Sequence, residues 1–522
     1  MSLGCDKNLV DSERMMGFLS DADYLFTDDE TDADVIIVNT CCFIGDAKEE
    51  SIDQLIRLGK LKETGKLRVL IACGCLAQRY QEEIEKDLPE VDAIVGTMAI
   101  DQITEAIRAC LGQEVTGSTD AAGANAAEAD VPIAADGPVS RSDDVMVSGS
   151  VDAMVSGSAD VSVSKTGDAT VSESDHSLAD ADIPGRQCKL RRYIEDINRP
   201  VYKGRRVLST GGHVAYLKIA EGCGKNCTYC IIPKVRGTYR SFPMEQLVSE
   251  AESLAKSGVR ELILVAQETT LYGTDLYGKK SLPKLIDELT KIPGIKWIRL
   301  MYCYPEEITE EIAQMFAQQT KLVPYIDMPI QHASDEILRR MGRRTNRKQL
   351  SEKIAMLRKV CPDICIRTTL ITGFPGETEE DVNTLADFME EQRFDRLGVF
   401  TYSAEEDTAA AEFEDQIEEE EKQERLAYLM ELQQQIAFEK AQSQVGKDLI
   451  VMIEGRLTDE TETADHTWQY TYVARSYMDA PDIDGLVFVE ADAELMSGDF
   501  ARVRITEARD YDLVGVLADV GD

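Results

Sequence analysis

The sequence predicts an α/β protein in three folded parts: a parallel α/β domain, a barrel-sized run of β/α units and a small β-barrel. Three observations predict it. Apolar strand-like runs alternate with amphipathic helical ones over most of the chain. The alternation breaks across one long Ala-, Ser-, Gly- and Asp-rich segment, and beyond residue 446 only short strands and turns remain. At 522 residues the chain is also too long for a single core.

Residues 1–112 form the first part. DADVIIVNTC (Asp32–Cys41), LRVLIACGC (Leu67–Cys75) and VDAIVG (Val91–Gly96) read as buried strands, with helices such as AKEESIDQLIRLGKL (Ala47–Leu61) between them. Strand–helix alternation implies a parallel sheet, whose ligands sit at the carboxyl ends of the strands. Residues 113–186 contain no aromatic residue and repeat MVSGS at Met146–Ser150 and Met154–Ser158. Such a segment buries too little apolar surface to offset chain entropy, so a disordered acidic linker is expected there.

Residues 187–440 form the second part. HVAYLKIAEG is a strand running into a cysteine-rich loop; ELILVAQET, IRLMYCYP, VPYIDMPIQ, CIRTTLITGFPGE and RLGVFTYS recur as strands with helices between most of them. Roughly six β/α units fit a complete or partial barrel. EDQIEEEEKQERLAYLMELQQQIAFEKAQ then reads as a long charged helix with a solvated acidic face. Residues 446–522 hold LIVMIEGRL, TYVARSYM, GLVFVEAD and FARVRITEARDYDLVGVLA, short strands of a small β-barrel.

Composition narrows the chemistry. The start, MSLGCDKN, lacks the basic and apolar regions of a signal peptide, and no apolar run is long enough to cross a bilayer, so a cytoplasmic protein with no membrane partner is expected. Thirteen cysteines in such a chain point to metal or redox chemistry rather than disulfides, and an odd count argues against complete pairing. Four histidines offer little for His-ligated zinc. A net charge of −40 repels nucleic-acid phosphates unless a basic patch intervenes, and favours a basic protein partner; adaptation to high salt is the bland alternative.

The sharpest signal is EGCGKNCTYC (Glu221–Cys230), with Cys223, Cys227 and Cys230 spaced C-x3-C-x2-C and no fourth cysteine following. A structural zinc site takes four ligands and an iron–sulfur cluster normally takes four thiolates. Three thiolates on a [4Fe–4S] cluster leave one iron open. This loop, after the first strand of a β/α barrel, resembles the radical S-adenosylmethionine (radical SAM) superfamily, in which SAM chelates the open iron. The resemblance implies that an electron from the cluster cleaves SAM to a 5′-deoxyadenosyl radical. It also implies cofactor-binding roles for Tyr229, the aromatic residue before the third cysteine, for Gln267 at the end of ELILVAQ, and for Gly373 in TLITGFPGE. Gly373 and Gly376 are equally readable as ordinary turn glycines.

Three more cysteines stand at strand ends of the first part: Cys5 in SLGCDKN, Cys41 in VNTCCFI and Cys75 in ACGCLAQRY. Parallel strand ends converge, so the three can meet, but Cys42 and Cys73 compete and spacing does not choose among them. SLGC-x-KN-x-VDSE, NTC-x-FI-x-x-AKEES and GCLAQRY resemble the motifs of the methylthiotransferase family of radical SAM enzymes. That resemblance selects Cys5, Cys41 and Cys75 as ligands of a second, auxiliary cluster. It leaves Cys42, Cys73, Cys110, Cys188, Cys303, Cys361 and Cys365 as structural thiols. His332, in PIQHASDEILRRMGRR, lies in another matching stretch and is left unassigned.

The resemblance covers nearly all of the chain except the linker: an N-terminal cluster domain, a radical SAM partial (β/α)6 barrel and a C-terminal β-barrel of TRAM type. SLGC-x-KN-x-VDSE and AYLKIAEGC most resemble the branch that modifies ribosomal protein S12. The implied reaction places a methylthio group on the β-carbon of an aspartate, with two [4Fe–4S] clusters and two SAM molecules, one giving a methyl group to sulfur and one cleaved to the radical. A low-potential donor such as flavodoxin or ferredoxin is implied, and no separate catalytic acid or base. The sister branch, acting on isopentenylated adenosine in transfer RNA, is the alternative, and a non-catalytic iron–sulfur protein a third. Residues 446–522 carry eighteen acids against six bases, which argues against a nucleic-acid-binding barrel. The family has a strand ahead of the first cysteine; only four residues precede Cys5 here, so either the start is placed late or that strand is truncated.

Overall fold

The computed structural model describes residues 1–113, 190–201, 204–457, 461–462 and 468–518. The acidic segment, apart from its first residue, and Cys188 lie outside the described residues.

In the first part, Val35–Thr40, Val69–Gly74, Ala93–Val95 and Arg191–Tyr193 form one parallel sheet in that order. Its central strand is buried along its whole length, as the run VLIACG requires of a strand covered on both faces. Alternate side chains feed two cores. Leu70 and Ala72 pack with Leu55 and Leu58, while Val69, Ile71 and Cys73 pack with Met15, Leu19 and Ile103 from the helices Asp6–Asp21 and Ile103–Cys110. The fourth strand, RRY, comes from beyond the acidic segment and joins the sheet rather than the barrel. Met1–Leu3 run beside Val35–Thr40: Ser2 bridges to Asn39, the Leu3 N–H donates to the Asn39 carbonyl at 2.9 Å, and the Asn39 N–H donates to the Met1 carbonyl at 3.0 Å. A short parallel pairing therefore stands where the resemblance places a further strand.

The second part is a six-stranded sheet of Val214–Lys218, Glu261–Val265, Trp297–Leu300, Leu322–Asp327, Cys365–Thr372 and Arg396–Thr401, every neighbouring pair parallel and in sequence order. The first and last strands do not pair, so the barrel is partial. Its interior apolar cluster includes Val214, Tyr216, Ile263, Val265, Val323 and Tyr325. Val10 of the helix Asp6–Asp21 enters that cluster from the first domain, and Met452 and Ala480 enter it from the third. The long helix, Glu419–Gln442, packs Leu429 and Ile436 into the barrel's outer core and leaves its acids in solvent.

The third part closes on itself. Asp448–Arg456 pairs with both Trp468–Ser476 and Phe500–Arg509; Val487–Ala491 joins Trp468–Ser476 to Asp512–Leu517, which returns to Phe500–Arg509. This five-stranded closed barrel has the strand order of an OB-fold. It seats on the second part through buried ions. Glu261 accepts from Arg299 and Arg475, each at 2.7 Å, and Phe500 meets Trp297 edge to face at 4.9 Å. Removing one member of such a buried set strands a charge, so these pairs fix how the barrel docks more than they raise stability.

Candidate functional site

Two groups of cysteines stand at the carboxyl ends of two different parallel sheets. Every described cysteine is a free thiol.

The loop Gly222–Cys230 follows the first barrel strand. Ala220–Glu221 pairs antiparallel with Arg240–Ser241, turning the chain into it. Gly222 has φ +75°, and a Cβ there would lie 2.2 Å from the Thr238 carbonyl oxygen, so only glycine fits. The Cys223 N–H donates to the Gly237 carbonyl at 3.0 Å, and the Thr228 N–H and hydroxyl donate to the carbonyls of Met341 (3.0 Å) and Arg340 (2.8 Å). Cys223 and Cys227 are buried and Cys230 half-buried. Burial pushes the thiols of Cys223 up to about 11 and of Cys230 up to about 12. The Lys225 N–H points to the Cys223 sulfur at 3.4 Å. Tyr229 packs against Ile337, Met341, Phe374 and Tyr402, which anchors the loop to the barrel.

Around this loop lies an unusual set of buried polar atoms without hydrogen-bond partners: Gln267 Oε1, Glu268 Oε2, Tyr239 Oη, and Arg343 Nε and Nη1. Such atoms are costly unless a ligand or water completes them. They offer acceptors, a donor–acceptor hydroxyl and a cation to a molecule bearing both an ammonium and a carboxylate. The Gln267 amide donates to Glu221 Oε1 at 3.2 Å. Its neighbour Glu268, absent from the sequence expectations, is fully buried; one oxygen accepts from Thr270, and burial pushes its carboxyl up to about 7. An acid at the carboxyl end of the apolar run ELILVAQE was the signal for it. Arg343 lies over the Tyr304 ring at 4.4 Å.

Gly373 has φ +69°, but the direction of its missing Cβ is filled by Lys422, 2.3 Å away, and its N–H donates to Glu377 at 2.7 Å. At Gly376 the same space is taken by Asp415 and Arg340. Both positions answer to packing within the chain, and any ligand contact at Gly373 is left to its backbone. His332 is fully buried: its Nδ1 accepts from the Ser334 N–H at 2.9 Å, so Nε2 carries the proton and faces Glu377 at 3.0 Å. It is a satisfied core histidine.

In the first domain Cys5 precedes the helix Asp6–Asp21, Cys41 follows the strand Val35–Thr40, and Cys75 follows Val69–Gly74. Gly4, at φ +86°, lies so close to Cys41 that a Cβ would meet its Cβ at 2.7 Å and its sulfur at 2.9 Å. The buried Asn8 amide donates to the carbonyls of Leu3 and Thr40, each at 3.1 Å, tying the Cys5 turn to the Cys41 strand end. Asn8 Oδ1 faces the Cys75 sulfur at 3.9 Å. Burial pushes Cys41 up to about 12, with the charges of Cys75 and Cys5 adding to it; burial also raises Cys75, where Arg236 opposes it and Cys5 adds to it. Of the competitors, Cys73 points into the opposite core and bonds the Val38 carbonyl at 3.4 Å. Cys42 packs among Val38, Leu55 and Leu76. Cys303, Cys361 and Cys365 are buried singly, and Cys365 faces the Met478 carbonyl of the C-terminal barrel.

No three ligating side chains among the described residues converge on one ion. A cubane cluster does not ask this, because it binds each thiolate on a different iron. Two trios of free thiols, four of the six buried and Cys5 and Cys230 partly exposed, fit such a group.

A buried polar network joins the two groups. Arg236 donates to Asn8 Oδ1 at 2.5 Å, to Asp11 at 3.1 Å and to Glu221 at 3.0 Å. Lys218 donates to Glu221 at 2.7 Å and also pairs with Asp11. The two cations hold Glu221 far below the usual carboxylate range against the opposing effect of burial.

Comparison with known proteins follows this division. Residues 1–96 match the model of uncharacterized protein family UPF0004, residues 217–389 that of the radical SAM superfamily and residues 445–517 that of the TRAM domain. The chain is 49% identical over 515 residues to "Ribosomal protein uS12 methylthiotransferase RimO" of Lachnoclostridium phytofermentans, covering 99% of this chain and 98% of that protein. It is 42% identical to the protein of the same description from Clostridioides difficile, covering 98% and 97%. The solved radical SAM methyltransferase TsrM of Kitasatospora setae is 14% identical, covers 80% of this chain and 68% of its own, and overlays with a TM-score of 0.44, too distant to carry an argument.

Proposed function

Since the chain belongs to the ribosomal protein uS12 methylthiotransferase family of radical SAM enzymes, we propose that it adds a methylthio group to the β-carbon of an aspartate in ribosomal protein S12, using two [4Fe–4S] clusters and two SAM molecules. One observation carries this reading: two separate trios of free cysteines at sheet ends, joined through one buried polar network. Cys223, Cys227 and Cys230 would hold the cluster that binds SAM, and Cys5, Cys41 and Cys75 the auxiliary one. When bound, these groups supply the radical that takes a hydrogen atom from the substrate and the sulfur that is methylated and passed to the carbon left behind.

The chain's own residues position and exclude. Gln267 and Glu268 offer carboxamide and carboxyl oxygens to the SAM ammonium, and Arg343 offers its free guanidinium N–H groups to the SAM carboxylate. Tyr229 and the apolar cluster behind it hold the cysteine loop rigid. Val10 of the helix Asp6–Asp21 packs into the barrel's interior apolar cluster and adds to its cover there.

The substrate class follows from charge. Of the six bases in residues 446–522, Arg475 is buried against Glu261 and Glu454, Arg504 pairs with Asp448, Arg509 with Glu507 and Arg456 with Glu494. Little positive charge is left for phosphates, whereas a basic ribosomal protein is attracted. A flavodoxin or ferredoxin is the proposed electron donor. Among the described residues no helix is long and apolar enough to cross a membrane.

The test is to reconstitute the protein anaerobically, add SAM and reductant, and offer S12 within the small ribosomal subunit and transfer RNA separately, with mass spectrometry of both. A methylthio increment on an S12 aspartyl peptide and unmodified transfer RNA are expected. Modified transfer RNA with untouched S12 would assign the chain to the transfer RNA reaction. Absence of 5′-deoxyadenosine would mean a non-catalytic iron–sulfur protein.

A further inference from the structure

We propose that Arg236 is a positioning residue for the front trio: its guanidinium sets the electrostatic environment, and hence the reduction potential, of a cluster held by Cys5, Cys41 and Cys75. The inference rests on the reading that this trio holds a cluster. It goes further by assigning a residue of the barrel to the tuning of a site in another domain.

Arg236 lies at the end of the short helix Ile232–Arg236, just past Cys230, yet it reaches into the first domain. Its side chain is 2% exposed. The guanidinium and the Cys75 sulfur share one acceptor, Asn8 Oδ1, at 2.5 and 3.9 Å. Asn8 is itself fixed by its two donations to Leu3 and Thr40, the backbone that leads to Cys5 and Cys41. Cys5, Cys41 and Cys75 all feel the charge of Arg236. It is tied by hydrogen bonds to both sites, because its other hand holds Glu221, two residues before Cys223. Glu221 and Asp11 are shared with Lys218, so the four charges balance and Arg236 keeps its place without a net buried charge.

A buried cation beside an anionic cluster favours the more negative, reduced state and raises the potential. An arginine also donates in fixed directions, so it orients Asn8 as well as lending charge. At the back trio the neighbouring cations are Lys225 and Arg343, and Arg236 is tied to that loop through Glu221.

The experiment uses the full chain, reconstituted with iron and sulfide, in two backgrounds. Cys223→Ala, Cys227→Ala, Cys230→Ala leaves the front cluster alone; Cys5→Ala, Cys41→Ala, Cys75→Ala leaves the back one alone. Potentiometric titration followed by electron paramagnetic resonance reads each cluster with Arg236, Arg236→Gln and Arg236→Lys. The expected result is a front-cluster midpoint that moves negative in Arg236→Gln and is largely restored in Arg236→Lys, with the back cluster moving less. An unmoved front midpoint, or equal movement of both clusters, overturns the inference. Loss of front iron from both variants overturns it in favour of an arginine needed to build the site rather than to tune it. If the front background with Arg236 intact binds no cluster at all, the two-cluster reading itself has failed and takes the inference with it.

Discussion

The two cysteine trios are built in opposite ways. Cys223, Cys227 and Cys230 occupy eight consecutive residues of one loop, fixed by local hydrogen bonds and one obligatory glycine. Cys5, Cys41 and Cys75 come from three strand ends spread over seventy-one residues, and they meet only because a parallel sheet brings those ends together. The back trio is a property of a loop; the front trio is a property of a fold. Damage to packing should therefore reach the front trio first, while loss of either set of thiols should be decisive for transfer.

The largest effects separate the roles. Replacing Cys223, Cys227 and Cys230 by alanine should abolish both SAM cleavage and methylthio transfer. Replacing Cys5, Cys41 and Cys75 should abolish transfer, a loss of at least ~100-fold by analogy with weaker changes at metal sites, yet leave cleavage of SAM measurable. Chromatography of 5′-deoxyadenosine beside mass spectrometry of S12 checks this, and equal loss of both activities in both variants would erase the division of labour.

Glycine substitutions sharpen the contrast. Gly4→Ala adds a Cβ at 2.7 Å from that of Cys41 and forces alanine to φ +86°. We expect a stability loss of about 1–3 kcal/mol and depletion of front-cluster iron. Gly224→Ala, inside the back loop, meets nothing within 4 Å and should cost no more than about 0.5 kcal/mol. Denaturant unfolding of the apoproteins with iron assays of the reconstituted ones decides it.

Smaller still is Thr228→Val, which removes the 2.8 Å bond to the Arg340 carbonyl. A cost of about 1 kcal/mol is expected, with back-cluster iron almost unchanged because the loop keeps its backbone bonds. A large loss of that iron would show that the back loop, too, depends on its distant neighbours.

The smallest effect lies at the barrel's base and should spare both trios. His213 sits between two acceptors, Glu454 at 2.6 Å and the Gly211 carbonyl at 3.1 Å, so both ring nitrogens donate in the charged form. Its pKa is raised, chiefly by the bond to Glu454, against burial and the charge of Arg475. The folded state thus holds the proton more tightly than the unfolded chain, in which histidine titrates near about 6.5. The stabilisation is fully present below that value and fades as pH rises through the folded pKa. Melting temperatures from pH 6 to 9 should show a His213→Gln deficit that is largest at the acid end, with iron content constant throughout.

Legibility in the sequence follows the same line. The back trio, six β/α units and the long charged helix are written in local spacing and periodicity, and the structure has them where the pattern puts them. The strand Arg191–Tyr193 was not legible, because three polar-rich residues carry no period and its partner lies across the acidic segment. The Arg236 network was equally hidden: its bonds to Asn8 and Asp11 span 228 and 225 residues. Cys73 shows a middle case. Alternation along VLIACG puts it on the other face from Ala72, but which face holds the site is settled only once the helices are placed. At Gly373 a motif resemblance and a packing need coincide, and only the structure reveals Lys422 in the space beside it.

The most direct test of two independently held clusters is the iron content and Mössbauer spectrum of the reconstituted full chain beside the two triple-alanine variants. About eight irons per chain are expected for the parent and about four for each variant, since each cubane holds four. Full iron in the Cys5, Cys41, Cys75 variant, or none in the Cys223, Cys227, Cys230 variant, would contradict it.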